Sequence, residues 1–215
     1  MADHPIALID TAKLQLKLFA EPGAHGEPEA FIPVFHRWIK EHVLAELMID
    51  VANYAHVPKG PGVVLIGHTG DYFVDEAEGR FGLLYSRKRG PAGVSLGARL
   101  GDLFRRTVHA AVLLGKEPAF AGKLRFSPRE LLFRINDRLA APATDATFAA
   151  VRPELESVVR RLSDGPFELT RVGDAKSLFG VKIVLGAAGK GNDDGTGSLP
   201  AWLGRLGGPP LADLS

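Results

Sequence analysis

The chain has 215 residues with 26 basic and 25 acidic side chains, a formal net charge of +1 at pH 7. A balance that close supplies no field toward polyanions or anionic lipid, so the charge supports neither nucleic-acid binding nor a membrane partner. The chain has no cysteine, which excludes disulfides, thiolate metal sites, cysteine nucleophiles and thiol redox chemistry.

The opening Met1-Ala2-Asp3-His4-Pro5 lacks the basic stretch and apolar run of a secretory signal, so a cytoplasmic location is expected. The longest apolar runs, Val63 to Ile66 and Ala110 to Leu114, fall far short of the roughly 20 residues that span a bilayer. Leu14, Leu16 and Leu18 alternate with Lys13, Gln15 and Lys17, the period of a strand with one polar face. The turn-forming residues of Glu21 to Pro28 follow as a loop. Phe31, Val34, Phe35, Trp38, Ile39 and Val43 then mark one side of a helix over about 29–43, with Pro33 near its first turn. Leu47, Ile49 and Val51 alternate with Met48, Asp50 and Ala52, predicting a strand that a right-handed crossover returns parallel to the first.

Val57 to Gly62 is a turn. The β-branched run Val63-Val64-Leu65-Ile66 is apolar on both faces, as in a central strand. Tyr72 to Val74 and Phe81 to Tyr85 flank the acidic turn Asp75-Glu76-Ala77-Glu78-Gly79 and predict a hairpin. After the break at Arg87 to Gly93, Leu96, Leu100, Leu103, Phe104, Val108, Ala111 and Val112 recur at helical spacing. They predict a linking helix over about 95–114 with Ser95 as its N-cap. Lys123 to Phe126 reads as a short strand.

A second series then echoes the first. Leu131, Phe133 and Ile135 alternate, and Phe148, Val151, Leu155, Val158, Val159 and Leu162 share a helical face. Phe167 to Val172 and Gly180 to Leu185 read as strands. The pattern predicts an α+β fold of pseudo-duplicated βαββ units, in a mixed, largely antiparallel sheet covered by helices. One domain would span 1–188, with copy one at about 13–90 and copy two at about 123–186. In pattern, the unit resembles the βαββ duplications of ferredoxin-like and related α+β sandwiches, a resemblance that implies architecture and no activity. Residues 189–215 read as a flexible Gly- and Asp-rich linker followed by an apolar segment at 199–211 carrying Trp202, Leu203 and Leu206.

Catalytic patterns are thin. Gly93-Val94-Ser95-Leu96-Gly97 has the spacing of a nucleophile elbow but no apolar strand before it and no histidine after His109, so a helix cap explains Ser95 better. No phosphate-binding glycine pattern is present, and His36 and His42 lie six apart on their helix, off the spacing of a shared metal face. No metal set or cofactor is expected. The polar residues at the end of the central strand are the candidates for chemistry. His68 follows the strand and Asp71 lies three residues on, so a carboxylate-held imidazole acting as a base or ligand is conceivable, with His56 and Tyr72 nearby. Arg87, Lys88 and Arg89 form the densest basic run, able to receive a phosphate or an acidic partner.

The sequence favours a non-catalytic binding or assembly protein with a tethered docking segment. Its partner would be another protein or a second copy, met through residues 199–211. An enzyme or a small-ligand or metal-binding protein with a site at His68 and Asp71 is the alternative. Self-association through open sheet edges is a further route.

Overall fold

The alternation and helical stripes resolve, in a computed structural model, into strands and helices over residues 11–58, 60–90, 93–120, 122–186 and 198–210, the residues the structure describes. In chain order they are β1 (Leu14–Ala20), α1 (Pro28–Lys40), β2 (Met48–Tyr54), β3 (Gly62–Gly67), β4 (Gly70–Asp75), β5 (Gly82–Arg87), α2 (Leu96–Lys116), β6 (Phe126–Ile135), α3 (Asp145–Leu162), β7 (Phe167–Val172), β8 (Phe179–Leu185) and α4 (Leu199–Arg205). The expected linker at 189–197, and Leu211 at the end of the apolar segment, lie outside the described residues, as do Lys59, Pro91 and Ala92.

All eight strands form one sheet in the order β2-β3-β4-β5-β1-β6-β8-β7. Every neighbouring pair is antiparallel, which corrects the expectation of a mixed sheet. Strand β2 does run parallel to β1, but β3, β4 and β5 lie between them, so no parallel ladder forms. The β4–β5 hairpin is inserted between β3 and β1, whereas in the second half only β8 separates β7 from β6.

The helices lie on one side. Helix α1 packs on β2 and β3, α2 on β1 and β5, and α3 on β7, while α4 rests on α2 and α3. Residues pointing to that side, among them Leu16, Leu65, Tyr72, Tyr85, Phe133 and Ile183, join Trp38, Phe104, Val151 and Trp202 in one buried cluster. Caps set the helix starts: the Ser95 hydroxyl accepts from the Ala98 N–H, Thr144 from Thr147 and Ser198 from Ala201, each satisfying a first-turn donor.

Two strand readings change. In β2 the ladder shifts between Met48 and Asp50, a bulge that turns Met48 inward and leaves Leu47 and Ile49 outside. The apolar phase read as Leu47, Ile49 and Val51 is therefore broken before Val51. No separate strand occupies Lys123 to Phe126; Phe126 opens β6, which runs on through Ile135.

Candidate functional site

The β3–β4 turn holds His68 and Thr69 between Gly67 and Gly70. Both glycines are needed for close approach. A Cβ on Gly67 would stand 2.4 Å from the Gly70 carbonyl oxygen, and one on Gly70 would stand 2.5 Å from the Tyr85 ring. Lys88 pins the turn: its ammonium donates to the Gly67 carbonyl (2.8 Å) and to Asp71 Oδ1 (2.7 Å), which also accepts the Gly67 N–H (3.1 Å). Asp71 is thus bound to Lys88. The exposed His68 instead has Nε2 3.5 Å from Nη1 of Arg89. His56 is not brought to this turn. It follows β2 at the end paired with Gly62, so β3 runs its whole length between the two histidines.

Beneath the turn lies a buried polar cluster that pattern reading did not isolate. Glu46, buried in the loop before β2, accepts hydrogen bonds from the hydroxyls of Thr69 (2.5 Å) and Tyr85 (3.2 Å). The rings of Tyr72 and Tyr85 stack at 4.6 Å. Burial first, then the Glu46 charge, pushes both phenols well above their ordinary value. Arg106 on α2 lies 3.8 Å from Glu46 and donates to Asp102 at 2.9 Å; Arg87, buried at the end of β5, pairs with the same Asp102. Desolvation acts to discharge Arg106, but Asp102 and Glu46 outweigh it and hold the guanidinium charged. The basic run therefore divides among three roles: Arg87 is an internal tie, Lys88 a turn clamp, and Arg89 an exposed cation beside His68.

The side of the sheet away from the helices carries a second network. Lys17 is fully buried, although its alternation with Leu16 and Leu18 reads as solvated. The β4–β5 connection folds over it, so that its ammonium donates to Asp75 (2.5 Å), the Ala77 carbonyl (2.8 Å) and Glu78 (3.1 Å). Glu78 adopts φ +61°, a left-handed conformation that costs a side-chain-bearing residue about 1 kcal/mol or more. Its carboxylate bridges Lys17 and Arg134 of β6. Burial pushes that carboxyl up, but the bond to Arg134 and the Lys17 charge bring it below its ordinary value.

Beside this connection a groove of about 660 Å³ opens over β1, β6 and β8, floored by Phe19, Leu132 and Gly180. A second hollow, of about 810 Å³, is lined by His25, by Tyr54 at the end of β2 and by Asp75 at the end of β4.

The residues expected to dock a partner from the C-terminal segment lie inside their own chain. Trp202 and Leu206 are fully buried and Leu203 packs partly buried against the core. Arg105 donates to the Leu206 carbonyl (3.0 Å), Arg161 to that of Arg205 (3.2 Å), and Arg205 to that of Leu162 (3.3 Å). These bonds satisfy carbonyls at the ends of α3 and α4.

Among the described residues no three His, Asp or Glu side chains converge as a metal set, and no helix is long and apolar enough to cross a membrane. No protein-family model matches the chain, and no curated protein matches it.

Proposed function

We propose that the chain is a non-catalytic binding or assembly protein that meets its partner at the free edge of β2. The observation behind this reading is where large apolar side chains stand exposed. Among the described residues these are Leu47 (60%), Ile49 (56%), Tyr54, Val57 and Leu139, and all but Leu139 lie on β2 or beside it. An edge strand with apolar flanks offers unpaired backbone groups and a surface whose covering is favourable. The opposite edge, β7, carries Glu168 and Arg171, charges that discourage strand addition.

The β2 edge is not bare. Its bulge bends the strand, and the Val51 N–H already bonds to Asp50 Oδ1 (2.7 Å), a contact that an incoming strand must displace, which favours reversible pairing. A second copy is the simplest occupant, because two identical antiparallel strands are closed by a two-fold axis. The C-terminal segment, docked on α2 and α3, serves in this reading as cover for the core. Light scattering should then show a dimer at micromolar concentration and a monomer for Ile49→Lys with unchanged circular dichroism. A wild-type monomer, or an unaltered mass for the variant, would overturn the reading.

The alternative, an enzyme or a small-ligand or metal-binding protein with its site near His68 and Asp71, draws less support, because Asp71 faces Lys88 and not His68. Loss of a measurable activity in His68→Ala, with the fold intact, would restore it.

A further inference from the structure

The groove on the helix-free side has the make-up of a ligand site. Its floor is apolar. Gly180 lies between Arg134 and Val172 in the ladders, and a Cβ there would stand 2.9 Å from Val172 Cγ2 and 3.6 Å from Arg134 Cγ, so the glycine lets these two side chains close over it and Val172 joins Leu132 in the apolar lining. Its charged lining is unequal, with Arg80, Arg134 and Lys182 facing Glu78 and Glu130. Glu78 is engaged by Arg134 and Lys17. Among the described residues Glu130 alone serves both other cations, Arg80 at 2.6 Å and Lys182 at 3.4 Å. Those two side chains are each 43% exposed. A guanidinium has five N–H donors and an ammonium three, so one shared carboxylate leaves several of them available to a ligand. The Arg80 guanidinium also lies 4.0 Å over the Phe19 ring, a contact that fixes its plane beside the apolar floor.

From this arrangement we infer that the groove binds a small organic anion with an apolar body. The anionic head would lie at Arg80 and Lys182, sharing their donors with Glu130, and the body over Leu132 and Val172. A volume of about 660 Å³ falls in the range of small-molecule sites, roughly 300–1,000 Å³. The charge excess selects an anion, and the floor selects a body that gains by leaving water. The head is a carboxylate or a phosphate monoester, since either accepts from both cations.

Titration calorimetry on the full chain with octanoate, octyl phosphate and octanol tests this. At least one of the two anions should bind about tenfold more tightly than octanol, and the tighter one identifies the head. Lys182→Gln, an exposed substitution that leaves the core alone, should weaken that anion about tenfold and octanol hardly at all; Arg80→Gln should do the same. If neither anion exceeds octanol, or if Lys182→Gln leaves anion binding unchanged, the proposal fails.

Discussion

Lys17 shows how a single side chain departs from its local pattern. Its neighbours Leu16 and Leu18 point to the helices, so alternation assigns Lys17 to solvent, and it does point to the other side of the sheet. What alternation cannot contain is a loop about sixty residues later that folds over that side and surrounds the ammonium with three acceptors. A buried cation so enclosed depends on its partners, and a partner left alone depends on the cation. Lys17→Met should therefore strand Asp75 as a buried anion and lower unfolding stability by about 3–5 kcal/mol in urea titration, whereas Lys17→Met with Asp75→Asn should recover part of the loss. A double variant whose loss equals the sum of the separate Lys17→Met and Asp75→Asn losses would show that the pair is not coupled. His68 and Asp71 illustrate the converse. Three residues apart they read as partners, yet Lys88, just past the end of β5, the strand paired directly with β4, takes the carboxylate. Spacing along the chain reports proximity, and it does not report competition from a residue brought in by the sheet.

The elements themselves were largely legible, because helix stripes and strand alternation are local and the core rewards them directly. Ser95 as a cap, β7 at Phe167–Val172 and the hairpin around the acidic turn follow from nearby residues alone. Strand β2 was legible in place and not in phase. Its bulge exchanges one residue between faces, and nothing in an evenly apolar run such as Leu47-Met48-Ile49 marks where that happens. The C-terminal helix was visible as an apolar segment, but an apolar segment is equally suited to its own chain or to another. Its partners, Arg105 and Arg161, are cations on two distant helices that reveal their role only once the helices pack. Because Trp202 is fully enclosed, Trp202→Ala should lower stability by about 3–5 kcal/mol, read as a reduced urea midpoint with an unchanged slope. A variant as stable as the wild type would show that α4 contributes nothing to the core.

At the scale of the whole molecule, the titrating groups define a pH range outside which the fold weakens. On the acid side, burial first and then the Lys116 charge hold His109 below its ordinary value of 6.5. The unfolded chain takes up that proton first, so stability falls as pH drops below about 6.5 and levels off once the folded imidazole is protonated too. Glu78, held below its ordinary 4.5, adds a further loss as pH falls through the carboxylate range. On the alkaline side Tyr72 and Tyr85 are held neutral by burial and by Glu46, both well above the ordinary 10.0. The unfolded chain loses those protons first, so their contribution is complete below pH 10 and declines above it. Urea midpoints measured from pH 4 to 11 should trace a plateau, a shoulder that begins as pH falls below the ordinary 6.5 of histidine, and a steep alkaline fall. His109→Gln should remove the shoulder without moving the alkaline limb, and Tyr72→Phe should make that limb shallower while leaving the acid side unchanged. If both variants follow the wild-type profile throughout, the pH dependence originates outside the helix-covered core and the Glu46 cluster is not its source.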